Sequence, residues 1–489
     1  MSSVPATRVR SANSLPVRHD GDFVLYWMIA SRRVTWNFAL DRAVEWAEKL
    51  QKPLVILEAL RCGYPWASDR IHRFVLDGMA ENACYLDGTD VLYYPYLEPK
   101  PNAGKGLLGA LVSRACVVVT DDFPCSFLPR MVASAVQQVP VHMEIVDSNG
   151  LLPMRQAEKA YPTAYAFRRF LQKELPRHLM EFPKANALCN AKFPKGKSLP
   201  SEIAKRWPKA SAGLLNSGER VLKGIPLNHE VSPVETRGGS AAAQTLLQTF
   251  LQRKLATYAH ARNEPAQQAT SELSPYLHFG HISVHQIFSE LTAHEGWSAS
   301  HLAVRATGNR SGWWGTSPDA EAFLDQLITW RELGFNCCHM RKDYDQFESL
   351  PAWALKTLRL HTRDERTYVY TLEQFEYAKT HDPLWNAAQT QLFKEGRIHN
   401  YLRMLWGKKI MQWTRTPEKA LEIMVELNNK YALDGRDPNS YSGIFWCLGR
   451  YDRPWGPERP IFGTVRYMSS ENTARKFTVR DYIQKYTSL

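Results

Sequence analysis

Trp406 and Trp413 stand seven residues apart in the segment NYLRMLWGKKIMQW. In a helix that interval is two turns, about 10 Å of rise along one face. Aromatic rings so spaced can relay an electron, and Trp385 in HDPLWNAAQ offers a third ring for such a chain. Ile398, Leu402, Leu405 and Ile410 share the stripe, so an ordinary buried helix face explains the spacing equally well. A second set is rich in hydroxyls: Thr270, Ser271 and Ser274 come just before the run PYLHFGHIS, with Tyr258 upstream. Hydroxyls and free amide groups ahead of a helix can hold a diphosphate, whereas a simple cap needs only one of them. The third set is the polar loop NNKYALDGRDPNSYSGIFW, from Asn428 to Trp446, which places Asp434, Arg436, Asp437 and Asn439 between apolar runs. That polarity exceeds what a surface turn requires. By contrast, the Gly104–Gly109 segment is spelled GxGxxG but follows the Pro-rich YPYLEPKPNA and a third strand, so it reads as a loop entering a helix. The eight cysteines contain no CxxC pair, which excludes a zinc ribbon or thioredoxin site, predicts no metal site and fits a reducing compartment.

Two kinds of element must position these groups. From residue 22 to about 147, short apolar runs (23–28, 53–57, 91–94, 116–120 and 141–146) alternate with amphipathic stretches such as 37–50. This predicts an α/β domain over 22–150, a Rossmann-like and mostly parallel sheet with helices on both faces. Residues 1–21 read as a flexible tail; they carry Arg but no apolar core, so they are no secretory signal. Residues 151–240 read as a basic interdomain linker, because 151–210 hold thirteen Lys and Arg against four Glu and proline recurs. From 241 to 489 the pattern is helical. Leu246, Phe250, Leu255 and Tyr258 share a face, and Thr416-Pro417-Glu418 opens a helix with a cap, a proline and an acidic first turn.

With 44% hydrophobic and 22% charged residues, the chain of 489 residues is neither disordered nor collagenous. No run of 18 apolar residues occurs, so no membrane span is predicted. Sixty-one Lys and Arg against 49 Asp and Glu leave a net charge of +12, which favours polyanions such as nucleic acid. Ten of the fifteen tryptophans lie at or after residue 297, in the helical half.

The segments TSELSPYLHFGHIS, WRELGFNCC, THDPLWNAAQ, YLRMLWGKKIMQW, LNNKYALDGRDPNSY and ERPIFGTVRYM resemble the photolyase and cryptochrome superfamily. More closely they resemble the class II cyclobutane pyrimidine dimer photolyases, over about residues 22–485 and most strongly after 240. The resemblance implies the photolyase/cryptochrome fold, an α/β antenna-type domain followed by an all-α catalytic domain that holds FAD and DNA. It implies a carbon–carbon lyase in which excited, reduced FAD lends an electron to a flipped-out dimer. On this resemblance Tyr258, Thr270, Ser271, Leu273 and Ser274 hold the FAD diphosphate and its surroundings, and Arg331 and Asn336 also border FAD. Asn428 faces the flavin N5, Arg403 and Asp434 pair beside the ring system, and Asp437 and Asn439 line the same pocket. Trp406, Trp385 and Trp413 form the photoreduction chain, with Trp406 nearest the flavin and the last ring leading towards solvent. Trp330 and Trp446 stack on the dimer, Met404 packs near its methyl groups, and Arg466 fills the gap left in the duplex. The implied antenna is a deazaflavin or a reduced folate. The implied partner is damaged DNA, single- or double-stranded, met by a monomer in the cytoplasm.

The chain also departs from the family pattern. Gln326 stands four residues before Trp330, where the family has a Glu near the dimer carbonyls. An amide can donate a hydrogen bond but cannot supply a proton; neighbouring Asp325 compensates only if its helix turns it inward. IASRRVTWN keeps Arg33, Val34 and Asn37 of the family's first loop, and WRELGFNCC keeps Arg331, Glu332, Leu333 and Asn336. These changes mark a divergent branch. The rival function is a cryptochrome-like photoreceptor without repair, which has no need of the lesion residues. A flavin-independent nucleic-acid-binding protein is a third alternative, and it would be colourless when purified.

Overall fold

A computed structural model describes residues 2–216 and 218–487, which divide into two compact units. The first runs to Gln156 and adds Glu174–Gln248 and Glu272–His294; the second comprises Ala157–Lys173, Thr249–Ser271 and the chain from Glu295 onward.

The first unit is built on a six-stranded sheet: β1 (Val9–Ser11), β2 (Phe23–Met28), β3 (Leu54–Leu60), β4 (Leu92–Leu97), β5 (Ala115–Asp121) and β6 (Met143–Val146). The order is β1-β6-β5-β2-β3-β4, parallel except where β1 meets β6. Strands covered on both faces read as unbroken apolar runs, and every residue of β2, β5 and β6 is buried. Helices α1 (Phe38–Leu50), α2 (Asp69–Leu86), α3 (Leu107–Val112) and α4 (Leu128–Val136) connect the strands. The Asn37 side chain caps α1 by accepting from the Ala39 and Leu40 amides.

At the switch point beside β2, the Asp121 carboxylate accepts the N–H groups of Ile29, Ala30 and Ser31 at 2.8–3.0 Å. An internal carboxylate therefore fills the amide cluster that folds of this class offer to phosphate. The GxGxxG segment behaves alike. It is a loop entering α3, and the Gly104 N–H donates to Glu98 at 3.1 Å.

Two expectations about the first unit fail. Val9–Ser11, read as part of a flexible tail, forms the edge strand β1, and Arg8 is completely buried. A three-residue strand with polar residues carries too little periodicity to be seen in the sequence. The segment read as a linker is also not a solvated span: residues 174–240 fall within the first unit. Its backbone bonds the sheet domain from Gly196 to Asp90 and from Ala210 to Pro95, and Leu215, Leu222 and Ile225 join a core cluster with Leu60, Ile71 and Leu76. The basic residues that dominate its composition hide these sparse apolar anchors.

The second unit is helical. Its helices α5 (Arg331–Met340), α6 (Pro383–Glu395), α7 (Asn400–Gln412), α8 (Pro417–Tyr431) and α9 (Pro438–Cys447) carry most of the candidate site. Helix α7 packs on α6, α8 and α9, and α5 packs on α9. The backbones approach so closely that a Cβ on Gly407 would lie 2.6 Å from Cys447 Sγ, and one on Gly334 would lie 2.8 Å from Ser442 Oγ. Thr416 caps α8 as its sequence predicts, accepting from the Lys419 amide with Pro417 next in line. No helix among the described residues is long and apolar enough to cross a membrane.

Candidate active site

Trp385 sits in the first turn of α6, which is fixed by Asp382: one carboxylate oxygen accepts the amides of Leu384 and Trp385 at 3.0 Å. Its indole Nε1 donates to the Trp406 carbonyl at 3.0 Å, while Trp406 Nε1 donates to Gln389 Oε1 at 2.9 Å. Trp413 ends α7, and its ring centre lies 6.0 Å from that of Trp385 at an interplanar angle of 71°. The structure thus joins the three tryptophans by direct contacts.

All three are buried, including Trp413 at 2% exposure, so the set does not itself reach solvent as expected. Tyr370 lies next, 5.7 Å from Trp413, and its hydroxyl is 2.7 Å from His381 Nδ1. His381 in turn stacks at 3.7 Å on Tyr368, which is 44% exposed. Sequence spacing does not point to Tyr368 and Tyr370, which come from a different segment, TYVYT, where the density of rings is the only cue; His381 stands in the HDPLWNAAQ motif, four residues before Trp385.

On the lesion side, Gln326 and Trp330 lie in Asp325–Trp330, a stretch wound as a π-helix ahead of α5. Such widened turns re-aim side chains and frequently mark functional positions. Asp325 is no substitute for the missing Glu. Its two oxygens take Arg168 Nε at 2.8 Å and Nη2 at 3.1 Å, in a pair less than a tenth exposed. Met404 on α7 comes close to α9, since a Cβ on Gly443 would meet its Cε at 3.7 Å. Trp446 follows one turn later on α9, and Trp330, Met404 and Trp446 are all half-buried. The Arg466 guanidinium lies 5.6 Å from the Trp446 ring and 4.1 Å from Trp455, with Nε 3.9 Å from Asp452.

The residues expected around FAD divide into two groups. Arg403 and Asp434 do form an ion pair, at 3.0 Å and largely shielded, and Arg403 Nε is buried with no hydrogen-bond partner. Asn428 is buried, its amide donating to Ser440 Oγ at 2.7 Å. Asp437 caps α9 through the Asn439 amide at 2.8 Å, and the Asn439 side chain is exposed. Tyr258 packs edge-on against Phe250 and Phe323, and Arg331 lies over Phe335. Asn336 is committed to backbone, holding Tyr161 N–H and Lys159 O at 3.0 and 2.9 Å. Thr270 and Ser271 end a segment of the second unit, with the Thr270 carbonyl accepting Lys254 Nζ; Leu273 and Ser274 belong to the first unit, where Ser274 opens a short helix.

A groove of about 1050 Å³ in the second unit is lined by Thr257, His260, Arg475, Lys476, Phe477 and Arg480 among others. Nothing in the spacing of Arg475, Lys476 and Arg480 singles these cations out in the sequence. The volume is within reach of a dinucleotide-sized ligand.

A scan of protein-family models found no match. The chain is 33% identical over 487 residues to the deoxyribodipyrimidine photo-lyase of Methanothermobacter thermautotrophicus, covering 99% of each. It is 35% identical over 468 residues to the enzyme of that name from Potorous tridactylus, covering 94% of this chain and 80% of that one. A match to the Arabidopsis thaliana protein of the same name has 34% identity over 479 residues, 95% of this chain and 89% of the other. The fold is like that of a bacterial class III photolyase from Agrobacterium tumefaciens, with a TM-score of 0.61 and 17% identity over 97% of this chain and 87% of that one. Identity at this level over almost every residue leaves one conclusion: the chain belongs to the deoxyribodipyrimidine photo-lyase family.

Proposed function

We propose that this protein repairs DNA under blue or near-ultraviolet light by splitting cyclobutane pyrimidine dimers, with reduced FAD as its cofactor. The observation that carries the reading is that one helical unit holds the Trp385–Trp413 ring contact, with the Trp385 indole bonded to the Trp406 carbonyl, together with half-buried Trp330, Met404 and Trp446 and the Arg466 guanidinium near Trp446; these would form the electron chain and the lesion set. A photoreceptor of cryptochrome type would keep the chain but has no use for the set.

Residues of this chain fit a flavin. Arg403 keeps a buried, unbonded Nε after pairing with Asp434, which leaves a donor for a polar ring atom. Asn428, Asp437 and Asn439 would border the same ring system, and Tyr258, Thr270, Ser271 and Arg331 the remainder of the cofactor; Asn336 would support that wall through its backbone bonds. When bound, FAD supplies the light-excited electron. The protein does the rest: its indoles at 406, 385 and 413 refill the cofactor, and Tyr370 with His381 continues the route outward. Trp330 and Trp446 would offer apolar faces to the two linked pyrimidines of a dimer lifted out of the stack, at a cost of a few kcal/mol that the distortion of the damaged step reduces. Gln326 can donate its amide to a pyrimidine carbonyl but cannot deliver a proton. A deazaflavin or reduced folate antenna is assigned to the first unit, and a monomer acting on DNA in the cytoplasm completes the proposal.

The test is direct. The purified protein is photoreduced and illuminated with a dimer-containing oligonucleotide while absorbance of the restored thymines is followed. Recovery is expected; none, despite bound and reduced FAD, overturns repair in favour of the photoreceptor. Trp406→Phe should block photoreduction yet leave repair by chemically reduced protein largely intact.

A further inference from the structure

Lys408, next to Gly407 on α7, has no part in the reading above. Its side chain is 0% exposed, and its Nζ donates to the Cys447 carbonyl at 2.6 Å. That Nζ also stands 5.3 Å from the centre of the Trp446 ring. Among the described residues it has no carboxylate within ion-pair distance; Asp452 acts on it only from farther away. The adjacent Lys409 is different. It is nearly as buried, but Asp382 lies 3.9 Å from it.

An ammonium buried without a counter-ion is among the costliest groups a fold can hold. Closing the end of α9 does not require one, because a neutral donor could also satisfy the Cys447 carbonyl. The position of the charge gives it a purpose. In a dry surrounding, a cation over an indole makes that ring harder to oxidise and stabilises negative charge arriving on a base stacked against it. Arg466 adds a second cation 5.6 Å from the same ring.

We propose that Lys408 is a positioning residue for the electron: its buried charge favours the dimer that carries the transferred electron and keeps Trp446 from acting as a donor. The inference deepens the repair reading and rests on it. One electron enters the dimer from the excited reduced cofactor, the C5–C5′ and C6–C6′ bonds break, and the electron returns. Nothing is oxidised or reduced overall, and Lys408 gives up no proton.

The holoenzyme with Lys408→Met or Lys408→Gln tests this. With a dimer-containing oligonucleotide bound, the fluorescence lifetime of the excited reduced cofactor should lengthen, reporting forward transfer slowed by about tenfold in both variants. The preference for dimer-containing over undamaged DNA should stay within about twofold, as should photoreduction through Trp406. An unchanged lifetime overturns the inference. So does a Lys408→Gln variant that behaves as wild type, because Gln keeps the donor to Cys447 and loses only the charge; so does a binding preference that falls in step with the rate. Should the variants not fold, the intact protein serves. Burial pushes the pKa of Lys408 down to about 8, and Cys447 facing it is pushed up to about 11; Asp452 and Arg466 are the other charged groups near it. Raising the pH from about 7 to about 9.5 should then weaken quenching by the dimer with a midpoint near 8, and a flat profile overturns the inference. A wild-type protein that splits no dimer overturns the repair reading as well, whereas the outcomes above leave that reading standing.

Discussion

Adjacent residues 325 and 326 should answer mutation in opposite ways. Asp325 is closed in a buried two-point pair with Arg168, so Asp325→Asn leaves a guanidinium without its counter-charge and should cost about 3–5 kcal/mol of stability, read as a lower denaturant midpoint. Gln326 is half-buried and takes no part in that pair, so Gln326→Glu should leave the midpoint nearly unchanged and raise the yield of dimer splitting. Equal loss of stability in both variants would show that the two positions share one structural task. Asp41 adds a pH dependence. Burial raises its pKa from 3.8 to about 7 against the opposing Lys184 amide, and its Oδ1 has no hydrogen-bond partner. Between those values the folded chain holds a proton that the unfolded chain has lost. Stability from this group is therefore highest below about pH 4, falls as pH rises towards 7, and stays reduced above it, by a few kcal/mol. Asp41→Asn should flatten that part of the profile, as measured by denaturant midpoints at pH 5 and pH 8; an unchanged difference between the two would refute it.

At the scale of elements, the contact between α7 and α9 is set by Gly407. A methyl group there would press on Cys447 Sγ at 2.6 Å and Met424 Sδ at 3.0 Å. Overpacking of this kind costs about 1–3 kcal/mol, partly offset by about 1 kcal/mol of better helix propensity. Gly407→Ala should therefore lower the melting temperature modestly. Because α9 carries Trp446, it should also weaken binding of dimer-containing DNA more than of undamaged DNA; an equal effect on both would separate this contact from the lesion wall. Elements with local signals were legible in the sequence. Thr416 announced its helix by capping, the strands stood out as apolar runs, and the interval from Trp406 to Trp413 was a helical period. What stayed hidden depends on partners distant in the chain. The π-helical turn at 325–330 leaves no period of its own, and the Arg168–Asp325 pair that locks it spans 157 residues. The edge strand β1 exists only because β6 is beside it.

Over the whole molecule, tryptophan content proves a weaker guide than charge. Trp46, Trp207 and Trp297 donate their indole N–H groups to Glu144, Ala103 and Trp314, so much of the excess secures structure. The net charge of +12 has no such local explanation and acts on any phosphate backbone. Each phosphate neutralised releases counter-ions, so affinity should fall steeply with salt, with a log–log slope of about −0.9 for each phosphate contact. That loss should strike damaged and undamaged DNA alike, because the backbone is the same in both. Selection of the dimer comes from a shaped slot and the ease of unstacking a damaged step, neither of which releases ions. Between about 50 and about 200 mM salt, both affinities should therefore drop by orders of magnitude while their ratio stays nearly constant. Arg466 can divide these contributions, since it lies against Trp446 and Trp455 and is also 40% exposed at its side chain. If it fills the gap in the duplex, Arg466→Ala should lower the ratio and leave the slope for undamaged DNA unchanged. If it merely meets phosphate, the slope should lose about one unit and the ratio should hold.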